Sequence, residues 1–285
     1  MDHVDPAPQA SVGSARPRKG RVEDKVVLVF GAGSVGEGWG NGKAASVAYA
    51  REGGRVVCVD LNAAAAETTA AAIAAEGGEA LALTADVTQD GSIRAAVAAA
   101  LERFGRIDVL HNNVGMNIAG GAVEATEESW RRVMDVNLTS AFLTCRAVLP
   151  AMVAQGKGAI VNVSSLAGIR WTGYPYISYA AAKAGLNQMT RSIAVEYAAR
   201  GIRCNVVLPG LMDTPHVVQQ IAGYHAADLQ AMRDRRAAMT PMKVQGDGWD
   251  IAWASVFLAS DEAKFVNGIE LIVDGGQHCT MMGAT

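Results

Sequence analysis

Cysteine is scarce and scattered. Cys58, Cys145, Cys204 and Cys279 form no Cys-x-x-Cys pair and stand near no histidine set, which disfavours both a disulfide framework and a metal site. An excess of basic charge is also missing: the formal charge of −3 and pI near 6.0 argue against a nucleic-acid partner, which would call for a basic face. No run approaches the ~18 consecutive apolar residues of a membrane span, and the N-terminus lacks the apolar stretch of a signal peptide. The expectation is a cytoplasmic protein with neither membrane nor nucleic-acid partner.

Half of the 285 residues are apolar, enough for a substantial core. Residues 1–24 carry Pro6, Pro8, Gly13, Pro17 and the cluster Arg16, Arg18, Lys19, Arg21, with little to bury, and read as a flexible tail. From residue 25 the chain alternates β-branched runs with Ala-rich helical patterns. Strands are predicted at 25–30, 55–60, 79–85, 107–111, 158–163, 202–208 and 268–273. Helical patterns lie near 42–52, 63–76, 91–104, 126–153, 178–199 and 248–259. This alternation, with no linker, predicts an α/β fold: a single doubly wound Rossmann-type domain over 25–285, with a seven-stranded parallel sheet flanked by helices. The rhythm breaks at about 212–240, read as a small lid insertion above the sheet.

Three chemical groups fall in one short stretch. Tyr179 and Lys183 stand four apart in Tyr-Ala-Ala-Ala-Lys, on one helix face, fourteen positions after Ser165 in Asn-Val-Ser-Ser. A lysine charge beside the ring would favour the phenolate and lower a pKa ordinarily near ~10, making a phenol that can serve as acid or base.

Upstream, a glycine-rich turn follows the first strand. Gly31-Ala-Gly33-Ser-Val-Gly36 matches the dinucleotide fingerprint, but the next helical pattern begins only after Gly40-Asn41-Gly42. The preferred register puts Gly31, Gly33 and Ser34 at the strand exit and Gly40 to Gly42 at the helix entrance, where free N–H groups favour a pyrophosphate, with 35–39 as a long loop between. Asp60 ends the second strand, where a carboxylate accepts from ribose hydroxyls and repels a 2′-phosphate; Asn62 could equally cap the following helix. Neither Ser34 nor Leu61 offers the arginine a 2′-phosphate would want, so NAD is expected over NADP.

These and further motifs resemble the short-chain dehydrogenase/reductase family from about residue 22 to residue 277: Asp86-Val87, Asn112-Asn113-Val114-Gly115, Asn137 in Asp-Val-Asn-Leu, the Ser165, Tyr179 and Lys183 set, Pro209-Gly210 with Thr214, and Val273-Asp274-Gly275-Gly276. The resemblance implies an NAD-dependent oxidoreductase. Asp86 and Val87 would line the adenine pocket, and Asn113, Val114 and Gly115 the strand edge beside the cofactor. Pro209, Gly210 and Thr214 would cradle the nicotinamide. Tyr179 would be the acid–base group and Ser165, in preference to Ser164, the partner of the substrate oxygen. Lys183 would support the phenolate and hold the nicotinamide ribose, and Asn137 would hold a relay water. Three departures stand out: Phe30 for the usual threonine, Val114 for the usual alanine, and five extra residues in the glycine loop.

Trp171, Tyr174 and Tyr176 could wall an apolar or aromatic substrate, with Met212, His216, Val217, Val218, Tyr224 and Met232 as a lid; packing against the lid or another subunit is the alternative. Only Arg170 is close enough to serve an acidic substrate, so a neutral small-molecule alcohol or ketone is expected. The apolar faces of 126–153 and 178–199, with the strand at 268–273, suit a homotetramer or homodimer. A non-catalytic nicotinamide-binding regulator and a carbon–carbon double-bond reductase remain alternatives.

Overall fold

The protein is described by a computed structural model over residues 20–222 and 229–280. Seven strands form one parallel sheet: β1 (Val26–Phe30), β2 (Arg55–Asp60), β3 (Ala80–Thr84), β4 (Val109–Asn112), β5 (Gly158–Val163), β6 (Ile202–Pro209) and β7 (Glu270–Val273). Their order, β3-β2-β1-β4-β5-β6-β7, reverses direction between β1 and β4. At such a switch point the connections leave to opposite sides and open a crevice above the strand ends.

Two-residue alternation along each strand divides the core into two layers. From β1, Val27 and Val29 pack with Ala44, Val47 and Tyr49 of α1 (Asn41–Arg51) and with Ile251 and Val256 of α2, the helix over Gly248–Ala259. Val26, Leu28 and Phe30 face the other way, onto Ile93 and Val97 of α3 (Asp90–Phe104) and Val148 and Met152 of α4 (Ser140–Gln155). Burying each such side chain contributes roughly 1.5–3 kcal/mol. Phe30, unusual beside the first glycine, is thus a core residue rather than part of the crevice wall.

Three expectations need correction. Residues 1–19 of the expected tail lie outside the described residues, but 20–24 are packed: Val22 is fully buried and Arg21 pairs with Glu262. The pattern over 126–153 is three pieces: α5 (Glu127–Met134) capped by the Thr126 hydroxyl, a π segment Asp135–Thr139, and α4. Taken together, Glu127–Gln155 has the length and apolarity to cross a membrane, where the sequence reading found no such run; half of its most apolar window is buried inside the fold, as befits a core helix. The lid segment contains α6 (Pro215–Ala222) and α7 (Leu229–Ala238), while Tyr224 lies outside the described residues. The helix carrying Tyr179, α8, runs from Ile177 to Tyr197.

His111 of β4 is buried among these layers, its Nδ1 3.1 Å from the Tyr49 hydroxyl and its Nε2 without a partner among the described residues. Burial pushes its pKa down to about 3, from 6.5. The unfolded chain therefore binds a proton that the folded chain refuses. The stabilisation is complete above pH ~6.5 and is lost as pH falls toward about 3. Urea unfolding of the parent and His111→Gln between about pH 6.5 and 4 checks this: the parent should lose stability more steeply, by up to ~1.4 kcal/mol per pH unit, and equal slopes would refute it.

Candidate active site

β1 delivers the chain into Gly31, whose positive φ of 81° starts the turn. A Cβ on Gly42 would overlap the Gly31 carbonyl oxygen, which also accepts from Asn113 Nδ2 at 2.9 Å. The first turn of α1 is thereby drawn against the end of β1. Gly33 N donates to Asp60 Oδ2 at 2.9 Å, and a Cβ on Gly33 would lie 2.6 Å from that of Ala65. Ser34 Oγ accepts from Gly40 N at 3.3 Å, and α1 begins at Asn41. Of the two registers, the structure adopts Gly31, Gly33 and Ser34 at the exit with Gly40 to Gly42 at the entrance.

This arrangement fits a dinucleotide. Gly31, Gly33 and Gly42 have no room for side chains, the amides of the first helical turn have no intrahelical acceptor, and buried Asn41 Oδ1 has no partner among the described residues. Both oxygens of Asp60 accept backbone N–H groups, Gly33 and Asn62, so the carboxylate is fixed in place at the cleft wall. Asn62 caps the next helix, its side chain accepting from Ala65 N. Asp86 is held by the Thr88 hydroxyl and amide, which lower its pKa.

A cleft of about 390 Å³ runs from this turn to Ser165, Tyr179 and Lys183. Every residue expected to bind the cofactor lines it: Gly31, Gly33, Ser34, Gly40, Asn41 and Gly42 at the turn; Asp60, Leu61, Asp86 and Val87 after β2 and β3; Asn113, Val114 and Gly115 at the end of β4; and Tyr179, Lys183, Pro209, Gly210 and Thr214 beyond. Val114 packs against the glycine turn, its Cγ2 3.0 Å from where a Cβ on Gly31 would stand.

Ser165 stands close enough to Tyr179 to act on its pKa, and its hydroxyl accepts from Ala167 N. Ser164 instead donates to the Lys183 carbonyl at 3.2 Å, anchoring α8. Lys183 Nζ lies 5.6 Å from the Tyr179 ring centroid and donates to Val163 O at 2.9 Å. The expected lowering of the phenol does not appear: burial raises the Tyr179 pKa, more than nearby Ser165 lowers it. Burial also brings Lys183 from 10.5 down to about 7. Desolvation disfavours both charged forms, and within the polypeptide it outweighs their mutual attraction.

Asn137 is not on the cleft wall. It is buried behind it, within the π segment, where Nδ2 donates to Met116 O and Val133 O and Oδ1 accepts from Met116 N. Gly115 leaves the space between: a Cβ there would lie 3.1 Å from Asn137 Oδ1 and 3.3 Å from Lys183 Nζ. The extra residue of a π turn re-aims its side chains, which is how Asn137 reaches this backbone.

The substrate expectation divides. Met212 and His216 line the cleft, with Val217. Trp171, Tyr174 and Tyr176 do not: Trp171 is 65% exposed, and the two tyrosines stack on each other with ring centroids 5.6 Å apart, Tyr174 standing beside Arg236 of α7. Packing against the lid, the alternative reading, describes the tyrosines. Arg170 is occupied by the carbonyls of Gln277, His278 and Thr280. Sequence reasoning missed Met116, Asn117 and Arg132 on the cleft wall. Met116 and Asn117 directly follow the motif that ends at Gly115, and Arg132 reaches the cleft from α5.

The family model described as Enoyl-(Acyl carrier protein) reductase matches residues 36–278. The 2-(R)-hydroxypropyl-CoM dehydrogenase of Xanthobacter autotrophicus is 40% identical over 256 residues, covering 88% of this chain and 97% of the relative. The cyclohexanol dehydrogenase of an Acinetobacter species is 38% identical over 260 residues, covering 90% and 95%. A solved structure described as a short-chain dehydrogenase/reductase, from Burkholderia xenovorans, has a TM-score of 0.89 at 48% identity and covers 92% of this chain and 99% of its own.

The burial of Lys183 makes a stability prediction. Its folded pKa is depressed, so the neutral amine's stabilisation is full above about 10.5 and is lost as pH falls to about 7. Lys183→Met removes the charge from the interior. In thermal unfolding it should gain on the parent at about pH 7 and lose that advantage toward pH 10.5; a pH-independent difference would refute the assignment.

Proposed function

Because the chain belongs to the short-chain dehydrogenase/reductase family, whose oxidoreductases use NAD(H) or NADP(H), we propose that it interconverts a secondary alcohol and a ketone with NAD, through proton transfer at Tyr179. The observation that carries this reading is the placement of the Ser165 and Tyr179 hydroxyls and the Lys183 amine on the wall of the same cleft as the glycine turn.

Bound there, the nicotinamide would accept or supply the hydride. In the oxidative direction the Tyr179 phenolate takes the alcohol proton, and the Ser165 hydroxyl donates to the substrate oxygen as its charge changes. Lys183, 5.6 Å from the ring centroid, stabilises the phenolate and would hold the nicotinamide ribose when the cofactor is bound. Asn137, fixed through Met116 beside the Lys183 amine, holds the water that passes the proton outward. Ser164 has a structural part, since its hydroxyl is committed to the α8 backbone.

Asp60 and exposed Leu61 support NAD over NADP: the first offers a carboxylate to ribose hydroxyls and the second no charge for a 2′-phosphate. Lys43, the nearby cation, bonds Gly38 O and covers the Trp39 ring instead. A small neutral substrate agrees with the engagement of Arg170 by backbone carbonyls, and with relatives named for cyclohexanol and levodione. The matching family model bears the name of an enoyl reductase, the second reading. The four-residue spacing of Tyr179 and Lys183 with Ser165 favours the alcohol and ketone reaction, and a non-catalytic regulator would need none of the three. Exposed Phe142, Val195, Phe265 and Ile269 give a cytoplasmic homotetramer or homodimer its apolar contact faces.

Absorbance of reduced NAD, followed over a panel of secondary alcohols that includes cyclohexanol, tests the reading. Tyr179→Phe should lower kcat by about 10²–10⁴, the usual worth of a positioned acid–base group. Ser165→Ala should also slow turnover strongly, and Ser164→Ala should chiefly cost stability, about 0.5–1.5 kcal/mol for its hydrogen bond. A Tyr179→Phe enzyme as fast as the parent would end the proposal.

A further inference from the structure

We propose that Trp39, outside the cleft, is a positioning residue that holds the enlarged loop 35–39 as a roof over the bound dinucleotide. The inference rests on the NAD-binding reading above and deepens it. The loop begins at Val35, which lines the cleft, and the lid closes the same cleft from the other side with Thr214, His216 and Val217. The two meet at Gly38, where a Cβ would stand 3.1 Å from Pro215 Cγ at the start of α6.

The loop's own backbone does little to keep it there. Gly36 and Gly38 have φ of 78° and 108°, and a Cβ on Gly36 would meet nothing within 4 Å. Behind the loop lies a second cavity, of about 950 Å³, lined by Val35 to Trp39, Pro215, Arg233, Lys243 and Trp249 among others. A glycine-rich segment between two cavities needs an anchor to choose its position. Trp39 supplies one. Its ring lies 4.8 Å from that of Trp249 on α2, tilted by 53°, and Lys43 Nζ stands 4.8 Å from the ring centroid while donating to Gly38 O. Trp249 is itself covered by Arg51, 4.6 Å away, and Gly248 lets the Trp39 carbonyl approach: a Cβ there would lie 2.9 Å from it. Cation, indole, indole and guanidinium thus tie the loop to α1 and α2, the rigid pair beneath the cleft.

With the anchor removed, the loop can sag into the second cavity, uncovering the cleft and parting from Pro215. Dinucleotide affinity should fall while the reacting groups keep their places. Calorimetric titration with NAD, alongside steady-state kinetics, reads both. Trp39→Ala should raise the Kd for NAD about tenfold, raise KM for NAD in step, and change kcat at saturating NAD much less. Trp39→Phe should restore binding to within about threefold of the parent. Trp249→Ala, which removes the other half of the ring pair and does not line the cleft, should reproduce the Trp39→Ala loss. A Kd for Trp39→Ala within twofold of the parent, or a loss in kcat without a loss in NAD affinity, overturns the inference. Because binding is measured directly, a parent that binds NAD but oxidises no alcohol refutes the proposed reaction and leaves the anchor test intact.

Discussion

A carbonyl oxygen, that of Gly31, occupies the space where any side chain on residue 42 would begin. That steric fact draws the N-terminus of α1 onto the end of β1, and the rest of the site follows. Asn113 bonds the same carbonyl and ties β4 into the turn. Gly33 can then reach Asp60 with its amide, fixing the carboxylate at the tip of β2. Free amides, a fixed anion and the switch point of the sheet meet at one place, which suits the pyrophosphate and ribose of a dinucleotide.

The chemistry at the other end of the cleft depends on burial rather than on charge pairing. Lys183 is nearly sealed beneath the strands, with its ammonium on the Val163 carbonyl, and burial brings it near neutrality while raising Tyr179. The site thus starts from a poorly solvated phenol and amine, each reluctant to hold charge, and an occupied cleft would shift that balance by the groups it brings. Fold stability is sacrificed for this arrangement, since a buried amine is destabilising below its ordinary pKa. Ser164 and Asn137 hold the backbone on either side, one on α8 and the other on the segment after β4.

The enlarged glycine loop illustrates the limits of local pattern. The sequence showed that five residues were extra and that the helix had to start after Gly40, because the apolar periodicity resumes only there. It could not show that Trp39 turns toward Trp249, more than two hundred residues away in the chain. The same limit explains the substrate wall. Trp171, Tyr174 and Tyr176 are near Tyr179 in sequence, yet they leave the cleft, because a loop between a strand end and a helix start can point to either side. Arg132 and Met116 are distant in sequence from the trio and still reach the cleft.

Local chemistry by itself determined the alternation of strands and helices, the glycine register, the carboxylate at the end of β2 and the spacing of Ser165, Tyr179 and Lys183, since each is a matter of periodicity, missing side chains or one helical turn. Only tertiary structure decided that the helix before α4 opens into a π turn around Asn137, that burial overrides the lysine's charge, and that the extra loop rests on α2. Those outcomes depend on how far water is excluded and on which distant surfaces come together, and neither is encoded in the neighbours of a residue along the chain.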